Sequence, residues 1–156
     1  ERDQKRPKRD ARVGMLPPKL AQTIINLSTA GINDHNTILD PFCGTGVILQ
    51  EAYLMGYDII GTDIDNQMTE YTERNLKWLT KMDKLPWSIV VADATNFTWW
   101  IPGTFDFIAS ETYLGRPFST QPDKNTLKKV INDVNTLLTK FLKKVARQTR
   151  PGFRMC

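Results

Sequence analysis

The stretch ILDPFCGTGVILQEAYLMG, residues 38–56, constrains the fold more than any other part of the chain. An apolar run meets Asp40, then a Gly-x-Gly turn at Gly44 and Gly46, then a helical pattern that closes at Gly56. Glycines at a strand end let the backbone turn sharply and approach a ligand closely. The stretch therefore predicts a strand, a nucleotide-binding loop and a helix, although a lone Gly-x-Gly also occurs in turns that bind nothing.

Short apolar runs alternate with helical patterns along the rest of the chain. Strands are predicted at 37–42, 57–65, 87–93 and 104–110, with a fifth beginning at 153–156, and helices at 16–31, 47–55, 66–82 and 127–148. Residues 1–15 are polar and predicted to be irregular. This alternation is typical of an α/β, doubly wound, mostly parallel sheet that is covered on both faces.

Composition excludes several protein classes. The 156 residues are enough for one domain, and 40% hydrophobic with 24% charged residues is ordinary for a globular protein. No apolar run approaches the roughly 20 residues of a membrane span, and the charged N-terminus does not resemble a secretory signal. Of the two cysteines, Cys43 lies in the glycine loop, which argues against a structural disulfide and fits the cytoplasm.

Positive charge is concentrated at the two ends of the chain, which has a net charge of +4. From Lys124 onward the only acidic residue is Asp133, against basic residues at 124, 128, 129, 140, 143, 144, 147, 150 and 154. Such a distribution attracts nucleic-acid phosphates, and it is equally typical of solvated helix faces.

An acidic side chain lies at or next to the carboxyl end of each of the first four predicted strands: Asp40, Asp63, Asp93 and Glu111. Parallel sheets bind ligands beyond these ends. Asp63 lies nineteen residues after Gly44, a spacing at which a carboxylate accepts hydrogen bonds from ribose hydroxyls. Taken singly, such a residue is more often a helix N-cap, the role that we predict for Asp65.

The charge of the ligand separates two candidates, a dinucleotide and S-adenosylmethionine. The dinucleotide fingerprint requires a third glycine at the position of Leu49. Asp40 would repel a pyrophosphate but suits the positive sulfonium and amino groups of S-adenosylmethionine. Asp93 is placed to accept a hydrogen bond from an adenine amino group. Together these residues favour S-adenosylmethionine.

The segments LDPFCGTG, GTDID and VADAT resemble S-adenosylmethionine-dependent methyltransferases that modify exocyclic amino groups of bases. With the lead-in KRPKRDARVGMLPPKLAQTIINL, the chain most resembles the THUMP-associated tRNA guanosine N2-methyltransferases over about residues 5–115. The resemblance implies a Rossmann-like fold, methylation of guanine N2 in tRNA, and a cytoplasmic protein with an RNA-binding domain upstream. Methylation of DNA amino groups is the alternative.

The domain organisation that follows is a basic lead-in at 1–15 and a methyltransferase domain at 16–156. Since the chain begins with Glu1 and ends where the fifth strand begins, we expect a fragment that lacks the C-terminal strands. The resemblance assigns cofactor contacts to Leu16, Pro17, Asp40, Phe42, Cys43, Gly44, Thr45, Gly46, Asp63, Ile64, Asp93 and Ala94. Cys43 itself is expected to pack against the sheet rather than to act as a nucleophile.

The fourth strand end departs from the family motif Asp/Asn-Pro-Pro-Tyr/Phe. The chain has ASETYLGRPF there, and aligning Gly115 with the family glycine places Glu111 at the Asp/Asn position. An exocyclic amine needs an oxygen that accepts its hydrogens as positive charge develops, and a ring on which the flipped base stacks. The catalytic candidates are therefore Ser110, Glu111, Thr112 and Tyr113, with no metal. The altered motif leaves a catalytically impaired cofactor- or RNA-binding module as a further alternative.

Overall fold

A computed structural model describes residues 2–10, 16–30, 32, 36–96, 104–115 and 117–156 of the chain. Its elements are α1 (Arg2–Lys5), α2 (Pro18–Thr29), β1 (Thr37–Asp40), α3 (Val47–Leu54), β2 (Asp58–Asp63), α4 (Asn66–Thr80), β3 (Ile89–Val91), β4 (Phe107–Ile108) and α5 (Lys124–Gln148). The alternation of strands and helices is as predicted. Among the described helices, none combines the length and hydropathy that crossing a membrane requires.

Strands β1 to β4 form a parallel sheet in the order β3-β2-β1-β4. The chain moves outward from β1 to β2 and β3, then returns to place β4 on the other side of β1. This reversal opens a crevice beyond the carboxyl ends of β1 and β4, where α/β sheets bind their ligands. The predicted α/β, doubly wound, Rossmann-like class is confirmed.

Alternating side chains of the strands divide the core into two layers. Ile38, Ile59 and Phe107 share one layer with buried residues of α2, α3 and α4. Leu39 and Ile108 face the other layer, with Phe141 of α5. Because the period of a strand is two, this register fixes which side chains each face presents to its helices.

The four strands are each shorter than predicted, and the helix boundaries differ by one or more residues. Three of the helix differences have a local cause. Helix α1 forms within the lead-in, where no regular structure was predicted, and ends ahead of Pro7 because a residue before proline disfavours helix. Helix α5 begins at Lys124 rather than Leu127, since Asp123 caps the amides of Asn125 and Thr126. Helix α4 ends at Thr80 rather than at residue 82, because Lys81 adopts a left-handed conformation with φ of 60°.

The predicted fifth strand begins where the sequence places it. Met155 forms a parallel bridge with Ile108 of β4. The Cys156 amide donates to the Ile108 carbonyl at 3.0 Å, and the Ser110 amide donates to the Cys156 carbonyl at 3.0 Å. The end of the described chain therefore continues the sheet beside β4.

Candidate active site

A cavity of about 780 Å³ opens at the carboxyl ends of the strands, at the reversal between β1 and β4. This volume suits a ligand of nucleoside size. The predicted site residues that line it are Leu16, Asp40, Phe42, Cys43, Gly44, Thr45, Asp63, Ile64, Asp93, Glu111, Thr112 and Tyr113. Pro17, Gly46, Ala94 and Ser110 do not line it. The fold thus gathers most of the predicted residues around one cavity.

Asp40 ends β1 and is almost fully buried, with 2% of its surface exposed. Its Oδ1 accepts hydrogen bonds from the Ser110 hydroxyl at 2.6 Å and from the Phe42 amide at 3.2 Å. Burial raises the pKa of Asp40 from 3.8 to about 7, and the nearby Asp63 and Glu111 carboxylates add to the rise. A cationic ligand would reverse this shift, because it favours the charged form.

Asp63 connects β2 to the glycine loop. Its Oδ2 accepts from the Gly44 amide at 2.9 Å, and its Oδ1 accepts from the Asp65 amide at 2.9 Å. Burial raises the pKa of Asp63. The predicted cap is confirmed as well, since Asp65 accepts from the Gln67 amide and begins α4. Backbone donors therefore hold the Asp63 carboxylate at the rim of the cavity.

Asp93 follows β3 and also lines the cavity. Its Oδ1 accepts from both the amide and the hydroxyl of Thr95, each at 2.8 Å. These two contacts fix the orientation of the carboxylate within its own turn. Ala94, in contrast, is buried in the core layer of α5.

Side chains from α3 and α4 hold the three consecutive carbonyls of the glycine loop. Thr72 donates to Gly44 at 2.8 Å, Asn75 donates to Thr45 at 2.9 Å, and Gln50 donates to Gly46 at 2.8 Å. These three supporting residues were not predicted as part of the site. The available signal was Asn75 itself, a polar residue on the otherwise apolar face of the predicted helix.

Leu49 occupies the position where a dinucleotide fingerprint has its third glycine, and the structure shows what takes over the role of that glycine. A Cβ on Gly61 in β2 would lie 2.5 Å from Leu49 Cδ1. The close approach of helix and strand is therefore achieved by a glycine on the strand rather than on the helix. Leu49 is fully buried in this contact.

Cys43 packs as predicted. It is 5% exposed and contacts the Thr72 hydroxyl at 3.7 Å through its sulfur. Burial, with the nearby Asp40 carboxylate, raises the pKa of the thiol well above its usual value. A thiol held protonated in this way is not an activated nucleophile.

One wall of the cavity is formed by the segment after β4, which carries the predicted catalytic residues. Glu111 is half-buried, and desolvation raises its pKa. Tyr113 is 44% exposed, so its ring is accessible at the mouth. Gly115 has φ of 97°, and a Cβ there would lie 2.8 Å from Val130 of α5. The segment therefore rests closely on α5, although it lacks the two prolines of the family motif.

Of the four predicted catalytic residues, Ser110 alone does not line the cavity. Ser110 is buried and donates to Asp40, so its hydroxyl joins the ends of β1 and β4 rather than lining the cavity. The helix stop predicted at Gly31 lies outside the described residues.

Replacing Gly46 by alanine is expected to destabilise the protein by about 2 kcal/mol or more. Gly46 has φ of 81°, and an added Cβ would lie 2.9 Å from Thr72, which packs against the loop. Gly44→Ala is the matched control, because φ is 52° there with nothing within 4 Å, so only the conformational cost of about 1 kcal/mol applies. Urea denaturation measures both, and equal losses would contradict the steric argument.

Comparison with known proteins agrees with this geometry. Residues 6–152 match the family described as RMKL-like, methyltransferase domain. The tRNA (guanine(10)-N2)-dimethyltransferase of Methanothermobacter thermautotrophicus is 38% identical over 112 residues, which are 72% of this chain and 31% of that protein. The enzyme of the same name from Pyrococcus abyssi is 37% identical over 115 residues, or 73% of this chain and 33% of that protein.

The chain spans about a third of the length of these curated relatives. Among solved structures, TrmN from Thermus thermophilus superposes with a TM-score of 0.57 at 22% identity, covering 88% of this chain and 36% of that one. Likeness at this identity shows the shared fold. From the family match over nearly its whole length, the chain belongs to the RMKL-like methyltransferase domain family.

Proposed function

We propose that this domain transfers a methyl group from S-adenosylmethionine to an exocyclic amine of a base in RNA, most specifically N2 of guanine in tRNA. The observation that carries the proposal is the series of carboxylates at successive strand ends, Asp40, Asp63 and Asp93, around one cavity beside a glycine loop. Relatives named tRNA (guanine(10)-N2)-dimethyltransferase, at 37% and 38% identity, support the choice of acceptor.

Each carboxylate has a separate task in this proposal. Asp63 accepts from the ribose hydroxyls, and Asp93, which lines the cavity, accepts from the adenine amino group. The expected contact of Ala94 with the adenine is not part of the proposal, because Ala94 is buried in the core. Asp40, buried at the end of β1, faces the positive groups of the ligand in its ionised form. Leu16, Phe42 and Ile64 supply apolar walls, since all three line the cavity. The residues present fit a cationic adenosyl ligand better than an anionic one.

The segment after β4, from Glu111 to Gly115, would position the amine. When bound, the sulfonium supplies the methyl group: the sulfur–carbon bond breaks as the nitrogen–carbon bond forms, and S-adenosylhomocysteine leaves. Glu111 would accept a hydrogen bond from the amine and so stabilise the positive charge that develops on nitrogen, and the proton would then pass to the Glu111 carboxylate or to solvent. Tyr113 offers the exposed ring face on which a flipped base stacks.

The proposal extends to the whole protein. Residues 16–156 form the methyltransferase domain, with residues 1–15 as the lead-in from an upstream RNA-binding domain. The protein acts in the cytoplasm, and α5 contributes to RNA binding. Its lysines at 128, 140 and 143 are exposed on the face opposite the buried Phe141 and Val145.

Replacing Lys128, Lys140 and Lys143 together by glutamine is expected to weaken tRNA binding and to reduce its salt dependence. The slope of log affinity against log salt concentration should fall by about 2 to 3, because each phosphate contact releases about one counterion. Binding titrations at salt concentrations from about 50 to about 200 mM measure the slope. An unchanged slope would show that these lysines of α5 do not contact RNA phosphates. The affinity for S-adenosylmethionine is the control and should not change.

Methyl transfer with the full-length protein tests the proposal. Labelled S-adenosylmethionine is incubated with unmodified tRNA transcripts, with the same transcripts carrying adenine at position 10, and with duplex DNA. Label in N2-methylguanosine that depends on guanine 10 is the expected result. Transfer to DNA alone would overturn the choice of acceptor. Cofactor binding without transfer to any nucleic acid would overturn the enzymatic proposal and leave a binding module.

A further inference from the structure

The lead-in is attached to the methyltransferase domain through its backbone. The Lys8 amide donates to Asn75 Oδ1 at 2.9 Å, and the Lys8 carbonyl accepts from Asn75 Nδ2 at 3.0 Å. The Lys8 ammonium lies 5.4 Å from the centre of the Tyr71 ring, one turn earlier on α4. Arg6 and Asp10, on either side, are 5% and 9% exposed. Residues 6–10 are therefore a docked arm rather than a free tail.

Asn75 also holds the glycine loop. The same Nδ2 group donates to the Thr45 carbonyl at 2.9 Å, and the residue is fully buried. One orientation of the amide satisfies all three contacts, because the Lys8 amide can only donate and the two carbonyls can only accept. A single side chain thus connects the docked arm to Thr45, which lines the cavity.

We propose that Asn75 is a positioning residue through which the docked arm, residues 6–10, fixes the glycine loop for cofactor binding. The inference that the loop is fixed stands on the hydrogen bonds, and its consequence for the cofactor rests on the proposed function. Releasing the arm leaves Asn75 Oδ1 without its backbone donor and loosens the amide that holds Thr45. A domain placed upstream would then act on the cofactor loop directly through the arm.

The arm is recognised by its backbone, which allows a matched pair of variants. Lys8→Ala keeps both backbone contacts to Asn75 and loses only the contact of the ammonium with Tyr71. Lys8→Pro removes the backbone N–H that donates to Asn75. Neither variant alters the core or a residue placed in the site, so both are expected to fold.

Hydrogen exchange of the loop amides in the ligand-free protein is the first measurement. Lys8→Pro is expected to speed exchange in residues 43–46 about tenfold, and Lys8→Ala to change it less than twofold. The affinity for S-adenosylmethionine should fall about tenfold in Lys8→Pro alone. Unchanged loop exchange in Lys8→Pro would overturn the inference, whatever the affinity for the cofactor.

Asn75→Asp provides the second test, because it keeps the shape of the side chain and turns a carboxylate oxygen toward two carbonyls. Its loss of cofactor affinity should equal or exceed that of Lys8→Pro. The double variant should be no weaker than Asn75→Asp alone, since both changes break one connection. Additive losses would overturn the coupling.

Tyr57→Phe controls for a general loss of stability. It removes a buried hydroxyl that contacts Thr29 and Ile32 at the opposite end of the sheet. It should lower the unfolding free energy without changing loop exchange. A wild-type protein that binds no S-adenosylmethionine would contradict the proposed function, while the exchange measurement would still decide the role of Asn75.

Discussion

Asp40→Asn is expected to stabilise the ligand-free protein at pH 8 and to weaken its binding of S-adenosylmethionine by about 10- to 100-fold. Both effects arise from one buried carboxylate. Asp40 is 2% exposed, and its pKa lies at about 7 rather than 3.8 because burial disfavours its charged form. The free protein therefore carries an unfavourable charge that a cationic ligand would neutralise.

The direction of the stability effect follows from proton binding. Between pH 4 and pH 7 the folded state holds a proton on Asp40 that the unfolded state has lost, so the unfolding free energy falls as pH rises. Above pH 7 the full penalty applies, on the order of 4 kcal/mol. Asparagine keeps the acceptor oxygen for Ser110 and carries no charge. Urea denaturation at pH 5 and pH 8 should show an advantage of the variant that grows with pH.

Cofactor binding should show the opposite pH dependence. The wild-type protein must release the Asp40 proton to present a negative charge, so its dissociation constant should fall about tenfold between pH 6 and pH 8. The carboxylates that face Asp40, Asp63 and Glu111, remain in the variant, and Asp40→Asn should flatten the profile if Asp40 is its source. A variant with the wild-type pH profile would assign the titration to another group.

The strand ends could be predicted from the sequence because they depend on local pattern. Apolar runs followed by Asp40, Asp63 and Asp93 indicate parallel strands, and the parallel topology then brings their ends together. The glycine loop and its positive φ at Gly44 and Gly46 follow from composition in the same way. Each of these inferences needed only neighbours in the chain and one rule of topology.

The contacts that support the loop could not be derived in this way. Asn75 reaches Lys8, 67 residues earlier, and Thr45, 30 residues earlier, so its role depends on how α4 packs. Likewise, Ser110 is a catalytic candidate by its place in the altered motif. The pairing of β1 with β4 nevertheless directs its hydroxyl to Asp40, 70 residues away. Local pattern indicates which residues are unusual, and tertiary packing decides what they contact.

Glu111→Ala is expected to lower the rate of methyl transfer by 100- to 1000-fold while leaving the affinity for S-adenosylmethionine within about twofold of the wild type. Glu111 lines the cavity and is half-buried, and burial raises the pKa of its carboxyl. Its oxygen would serve the amine only as charge develops in the transition state, so the loss should fall on turnover and not on cofactor binding.

Glu111→Gln separates the charge of the side chain from its hydrogen bond. Glutamine keeps an acceptor oxygen at the same distance from the backbone, and part of the activity lost in Glu111→Ala should return. If the carboxylate charge contributes, the wild-type rate should rise with pH through the raised pKa of Glu111, whereas the glutamine variant should show no such rise. Single-turnover rates from pH 5 to pH 8 measure both, at saturating S-adenosylmethionine so that the effect of Asp40 on cofactor binding does not contribute.

Tyr113, in the same segment as Glu111, supplies the matched control. Tyr113→Phe keeps the exposed ring face and should retain the wild-type rate. Tyr113→Ala should lose activity, as Glu111→Ala does, if a flipped base stacks on this ring. An active protein in which neither Glu111 nor Tyr113 matters would place the acceptor elsewhere around the cavity. The altered motif would then have lost its role in catalysis, and the close approach of Gly115 to Val130 would have only a structural purpose.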